Sequence, residues 1–157
     1  MYNIVLHHPE IPHNTGAAGR LAVSTGAKLH LIRPLGFSLD EKHLRRTGLD
    51  YWKHVDLSLW DSLEELCAAA EEGAQFWYLS TKASNNIWSE QIDIKEGDYF
   101  IFGAESKGLP EAWIAEHPET ALKIPMPGEL ARSLNLSTAI AIMLYEGIRR
   151  ATPSDSI

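Results

Sequence analysis

The apolar residues of this chain fall into short runs separated by glycine, proline and polar punctuation. Tyr2-Asn3-Ile4-Val5-Leu6-His7, Leu29-His30-Leu31-Ile32, Gln75 to Ser80, Tyr99 to Phe102 and Ala121 to Ile124 have the length and side-chain types of buried strands. Pro9 and Pro12 close the first run, and Pro34 and Gly36 close the second. Helical patterns lie between them. Asn14 can cap a helix from Thr15 to about Thr25, with Gly26 as its stop. Ser38 with Glu41 opens a short basic helix through Arg46, and Asp61 with Glu64 opens another. In the latter, Leu63, Leu66, Cys67 and Ala70 share one face. Pro110 starts a helix through Glu116, and Leu134 to Arg150 forms a long final one. Strands alternating with helices predict an α/β fold, a mostly parallel sheet with helices on both faces. The chain reads as one domain over residues 1–157, with Pro153 to Ile157 as a flexible tail.

The final helix is apolar around nearly its whole circumference, through Leu136, Ala139, Ile140, Ala141, Ile142, Met143, Leu144 and Ile148. A helix of that kind is buried on all sides. In a domain of 157 residues this means either deep burial or a helix shared with a second subunit.

Composition narrows the class. An apolar fraction of 45% and a charged fraction of 22% are those of a globular domain, and no run is long enough to span a bilayer. The start lacks a secretory signal, and the single cysteine, Cys67, excludes an intramolecular disulfide; both fit the cytoplasm. The net charge of −7 weighs mildly against a nucleic-acid partner, but local basic patches govern phosphate contact. Arg45, Arg46, Lys82, Lys107, Arg132, Arg149 and Arg150 are available for such a patch, or are solvated surface charges.

Three segments can present backbone amides and small polar groups to one ligand: Phe102 to Pro110, Ile124-Pro125-Met126, and Ser133 to Ser137. The first two sit at the ends of predicted strands, where open α/β sheets bind their ligands. Familiar chemistries fail on spacing. In Gly103-Ala104-Glu105-Ser106-Lys107-Gly108 the lysine precedes the second glycine, and Leu109-Pro110 follows, which is not a Walker A loop. The turn after the first strand holds Pro9 to Asn14 instead of a dinucleotide fingerprint. The histidines lack metal-ligand spacing, since His7 and His8 as strand neighbours point to opposite sides. Ser133 and Ser137 lack the hydrolase elbow, and Cys67 reads as a core residue. Asn14 and Arg20, taken alone, read as a helix cap and a surface arginine.

Taken together, however, these pieces resemble the three motifs of the SPOUT-class RNA 2′-O-methyltransferases: Asn14 with Arg20, Phe102 to Pro110, and Ile124-Pro125-Met126 with Arg132 to Ser137. The whole chain to about Arg150 is similar to the short, single-domain subgroup that acts on the wobble nucleotide of tRNA. Asn3 to Leu6, Pro34 to Phe37 and Leu44 to Tyr51 share in the likeness. Relative to that subgroup, one insertion lies within Pro127 to Ala131.

The resemblance implies a C-terminal deep trefoil knot, S-adenosylmethionine as cosubstrate without a metal, and a homodimer. Leu136, Ile140, Met143 and Leu144 of the final helix are the expected dimer contacts. It implies cofactor contacts at Leu79, Gly103, Gly108, Leu109, Ile124, Met126 and Ser133, with Leu109 and Ile124 as apolar walls for the adenine. Arg20 would act on the substrate, with Asn14, Glu105 and Asn135 orienting it and the loop, and Arg45, Arg46, Lys107 and Arg132 would contact RNA. The implied reaction is methylation of the ribose 2′-hydroxyl of the wobble cytidine or uridine in leucine tRNAs, at the anticodon stem-loop. Two alternatives remain at this stage: the same reaction on ribosomal RNA or another tRNA site, and a non-catalytic RNA-binding protein of the same fold.

Overall fold

A computed structural model describes residues 1–40, 42, 44 and 50–156. Seven strands form one sheet: β1 (Asn3–His7), β2 (Lys28–Ile32), β3 (Leu57–Trp60), β4 (Phe76–Leu79), β5 (Asn85–Asn86), β6 (Tyr99–Phe102) and β7 (Ala121–Lys123). Their spatial order is β3-β2-β1-β6-β4-β7-β5, and every neighbouring pair is parallel. The chain first winds outward from β1 through β2 to β3. It then returns to build the other half, placing β6 directly against β1 with Asn3 opposite Tyr99 and Leu6 opposite Phe102.

Among the described residues the sheet is covered by helices α1 (Pro12–Thr25), α2 (Leu63–Ala69), α3 (Glu111–Glu116) and α4 (Leu136–Ala151). The alternation of strand side chains divides them between two faces. Ile4 and Leu6 of β1 join Ala18 and Ala22 of α1 and Ile140, Met143 and Leu144 of α4 in one apolar cluster. Val5 joins Leu63 and Leu66 of α2 in a second, against which Trp113 and Ile114 of α3 pack. Both faces of the central strands are therefore dry, which is why β1 and β6 read as unbroken apolar runs. Cys67 packs against the second cluster, where burial raises its thiol pKa.

Several expectations require correction. β3 and β5 were not foreseen. Helix α1 begins at Pro12, so Asn14 lies inside its first turn and does not cap it; Ile11 occupies the cap position without a side-chain bond. Helix α2 opens one residue later than expected, with Ser62 Oγ accepting from Glu65 N. The basic helix through Arg46, the Glu41 capping partner, and Arg45 and Arg46 themselves lie outside the described residues.

The final helix is not buried all round. Ile140, Met143 and Leu144 are sealed in the core of their own chain, whereas Ile142 and Tyr145 are 36% and 54% exposed. The open apolar face is thus not the set of residues expected from the sequence. Leu136 faces the cavity described below. At the chain end, Ser156 N donates to Pro153 O, which forms a turn. Among the described residues no helix is long and apolar enough to cross a membrane.

Candidate active site

The carboxyl ends of β4, β6 and β7 and the start of α1 surround a cavity of about 470 Å³. This is the size of a small-molecule site, and it lies at the carboxyl ends of strands, where open α/β sheets bind their ligands. Leu79, Phe102, Leu109, Ile114, Ile124 and Met126 supply apolar wall. Ser80, Thr81, Lys82 and Glu111 form one rim, where the Lys82 ammonium pairs with the Glu111 carboxylate. Asn14, Glu105, Ser133 and Asn135 also line it.

The loop after β6 folds back on itself. Gly108 N donates to Ala104 O at 2.8 Å, and Gly108 adopts a φ of 66°. Gly103 is required by close approach: a Cβ there would overlap the backbone of Gly108 and Leu109. The hairpin-like turn leaves Glu105, Ser106 and Lys107 at its tip, facing α1.

Asn14, Glu105 and Asn135 form one hydrogen-bonded unit from three distant parts of the chain. Asn14, only 2% exposed, donates from Nδ2 to Glu105 Oε1 at 3.3 Å. Its Oδ1 accepts from Asn135 Nδ2 at 3.3 Å. Asn135 in turn caps α4, accepting from Ser137 N at 3.0 Å. Glu105 also accepts from Glu10 N at 2.7 Å and Ile11 N at 3.1 Å. A carboxylate from ninety residues downstream thus serves the entrance of α1, where negative charge meets the positive end of the helix.

The expected residues divide clearly. Asn14, Leu79, Gly103, Glu105, Lys107, Gly108, Leu109, Ile124, Met126, Ser133 and Asn135 all line the cavity. Arg20 does not. It is exposed on α1, its guanidinium carbon 5.0 Å from the centre of the Tyr51 ring. Arg132 is exposed and outside the cavity lining. The sequence reading missed Ile11, the Lys82–Glu111 pair as a rim feature, and Glu10, whose carboxylate bonds Ser106. Only their proximity to strand ends marked them.

The two neighbouring histidines also differ from expectation. His8 leaves β1 with a φ of 54°, so its ring stacks on His7 at 3.7 Å instead of pointing to the other face. Burial, followed by His8, lowers the His7 pKa to about 4. Among the described residues no group of three or more His, Cys, Asp or Glu side chains is placed to hold a metal ion.

A tRNA (cytidine(34)-2′-O)-methyltransferase from Methylovorus glucosotrophus is 45% identical over 152 residues, covering 96% of each chain. A solved structure described as giving insight into 2-OH methylation of C/U34 on tRNA superposes with a TM-score of 0.87. It is 47% identical, over 96% of this chain and 95% of that one. The SpoU methyltransferase AviRb from Streptomyces viridochromogenes, solved with AdoMet, shares the fold at 22% identity, with a TM-score of 0.79 over 94% of this chain and 57% of its own. A family model spans residues 1–145, every strand and all the cavity-lining segments included, and on that match the chain belongs to the SpoU rRNA methylase family.

Proposed function

We propose that this chain transfers a methyl group from S-adenosylmethionine to the ribose 2′-hydroxyl of the wobble cytidine or uridine of leucine tRNAs, acting in the cytoplasm as a homodimer. The observation that carries the reading is the Asn14–Glu105–Asn135 unit standing at the lip of an apolar-walled cavity. The relatives named for position 34 of tRNA, similar over nearly the full length, give the acceptor.

The volume and the apolar lining of the cavity support this cosubstrate. Leu109 and Ile124 would wall the adenine, and the loops at Leu79, Gly103, Gly108 and Met126 would offer backbone groups to the ligand's polar edges. Ser133 adds a hydroxyl at the same wall. When bound, the cosubstrate supplies an activated methyl on a sulfonium, which needs no metal. The protein must hold the 2′-oxygen in line with it, at about 3 Å. Arg20 is assigned to the phosphate beside the acceptor ribose, where it stabilises the developing alkoxide. A guanidinium stays protonated, so the proton leaves through that phosphate or a water. Asn14, Glu105 and Asn135 orient the loop and the start of the helix bearing Arg20. Lys107 and Arg132, with Arg45 and Arg46, contact RNA phosphates. The loops around the cavity belong to the C-terminal knot on this reading. The open Ile142 and Tyr145 face of α4 serves the dimer contact.

The test is labelled-methyl transfer to leucine tRNA isolated from a strain lacking the gene, and to the same tRNA with a 2′-deoxy wobble nucleotide. Transfer is expected only to the first. Arg20→Ala is expected to abolish transfer and leave cofactor affinity within about two-fold. Equal labelling of the deoxy acceptor would overturn the 2′-hydroxyl assignment, and full activity of Arg20→Ala would remove that arginine from the reaction.

A further inference from the structure

The loop between β1 and α1 and the turn after β6 exchange carboxylates. Glu105 on the turn accepts from the backbone of Glu10 and Ile11. Glu10, in the opposite direction, accepts at Oε1 from Ser106 N at 3.2 Å and Ser106 Oγ at 2.6 Å. Each segment thus satisfies amides of the other through its own side chain.

The Glu10 backbone is itself held from behind. A Cβ on Gly36 would lie 2.8 Å from Glu10 Cα and 3.0 Å from its carbonyl oxygen. Only a bare backbone at position 36 permits this approach, and Gly36 N donates to Pro9 O at 2.9 Å. Residues 9–11 are therefore fixed between the loop after β2 and the turn after β6. A restrained residue that reaches forward to Ser106 can restrain the turn in its place.

From this arrangement we infer that Glu10 is a positioning residue for the cofactor cavity: it pins the Ser106 tip of the 103–108 turn onto the entrance of α1. Ile11, Glu105, Ser106 and Lys107 all line the cavity, so the clasp shapes that wall before any ligand arrives. A wall ordered in advance spares the ligand the entropy of ordering it. The Ser106 bonds, with the nearby Lys107 charge, hold the Glu10 carboxyl below its usual range, so the clasp is ionised at neutral pH. Glu10 and Ser106 are both exposed, and a bond of that kind contributes little to global stability. Its effect is local order in the turn.

The inference rests on the reading of the cavity as the S-adenosylmethionine site, and two measurements separate the two. The first needs no ligand. Hydrogen exchange of the free protein should show the 103–109 segment exchanging about ten-fold faster in Glu10→Ala, with β1 and β6 unchanged. The second is calorimetric titration with S-adenosylmethionine, together with kinetics on tRNA. Glu10→Ala should weaken cofactor binding and raise its KM about ten-fold, with kcat at saturation within about two-fold. Glu10→Gln keeps an oxygen acceptor for both Ser106 donors and should recover to within about three-fold of wild type. The thermal midpoint of all three free proteins should agree closely. Unchanged exchange at 103–109 in Glu10→Ala would overturn the clasp. Unchanged cofactor affinity, or no recovery in Glu10→Gln, would overturn its role in the cavity. A wild-type protein that binds no S-adenosylmethionine, with the exchange difference intact, would instead overturn the cofactor assignment.

Discussion

His30 on β2 makes the stability of this protein depend on pH in a calculable way. The side chain is 5% exposed, between Asn3 of β1 and Trp60 of β3. Trp60 Nε1 can only donate, and it lies 3.0 Å from His30 Nδ1, so that nitrogen must accept. The ring proton is therefore on Nε2, where it is donated to Asn3 Oδ1 at 3.0 Å. Asn3 is turned to receive it, because its own Nδ2 donates to Gly97 O. A second proton on His30 would face the indole N–H. Burial, then the Lys28 charge, lower the pKa from 6.5 to about 4, against a smaller opposing pull from Asp56.

Between pH 6.5 and pH 4 the unfolded chain binds the proton that the folded chain refuses. Folding stability is complete above pH 6.5 and falls as pH drops through this window. The slope approaches about 1.4 kcal/mol per pH unit, roughly 3 kcal/mol in all. His7, buried and lowered to about 4, adds a slope of the same sign. The perturbation is His30→Gln, which keeps a donor and an acceptor but does not titrate. The assay is urea unfolding followed by tryptophan fluorescence from pH 7.5 to pH 5, at one protomer concentration so that association is held fixed. Between pH 7.5 and pH 5 the wild type should lose about 2 kcal/mol more than the variant. Equal losses in the two proteins would refute the assignment of a neutral, proton-refusing His30.

Two further outcomes are expected. Gly103→Ala should weaken S-adenosylmethionine binding by about ten-fold or more in calorimetric titration, because even one carbon displaces the 108–109 backbone; unchanged affinity would refute the close-approach argument. Wild type should sediment as the proposed dimer and Ile142→Arg with Tyr145→Arg as a folded monomer in sedimentation velocity; Ile140→Arg should instead unfold the chain, since Ile140 is sealed within its own core.

The sequence revealed those elements whose cause is local. β1 and β6 are buried on both faces, so their apolar runs stand out, and the three loop segments that meet at the cavity were legible because each sits beside such a run. β3 stayed hidden because it is a half-exposed edge strand, Leu-Ser-Leu-Trp, whose partner is β2 alone. β5 is two asparagines, made a strand only by register against Leu122 and Lys123. The error at Asn14 has the same origin. Asparagine before a helical run is a good local cap signal, but here Glu105 takes that duty from across the molecule, and Asn14 is turned to Glu105 and Asn135. The placement of Arg20 on Tyr51 depends on how the 50–55 segment returns against α1, which no short-range pattern records.

The order of strands in the sheet also governs when the molecule becomes competent during its own synthesis. β1 waits for β6, some ninety residues later, before its second edge is paired, and β4 lacks both its partners until β6 and β7 exist. Contacts this distant in sequence fold slowly, because long loops must close before they gain stabilisation. The Asn14–Glu105–Asn135 unit spans nearly the whole chain, so a nascent protein has no cavity until α4 has left the ribosome. Until β6 emerges the apolar edge of β1 lies open, and it is the surface a chaperone would be expected to shield.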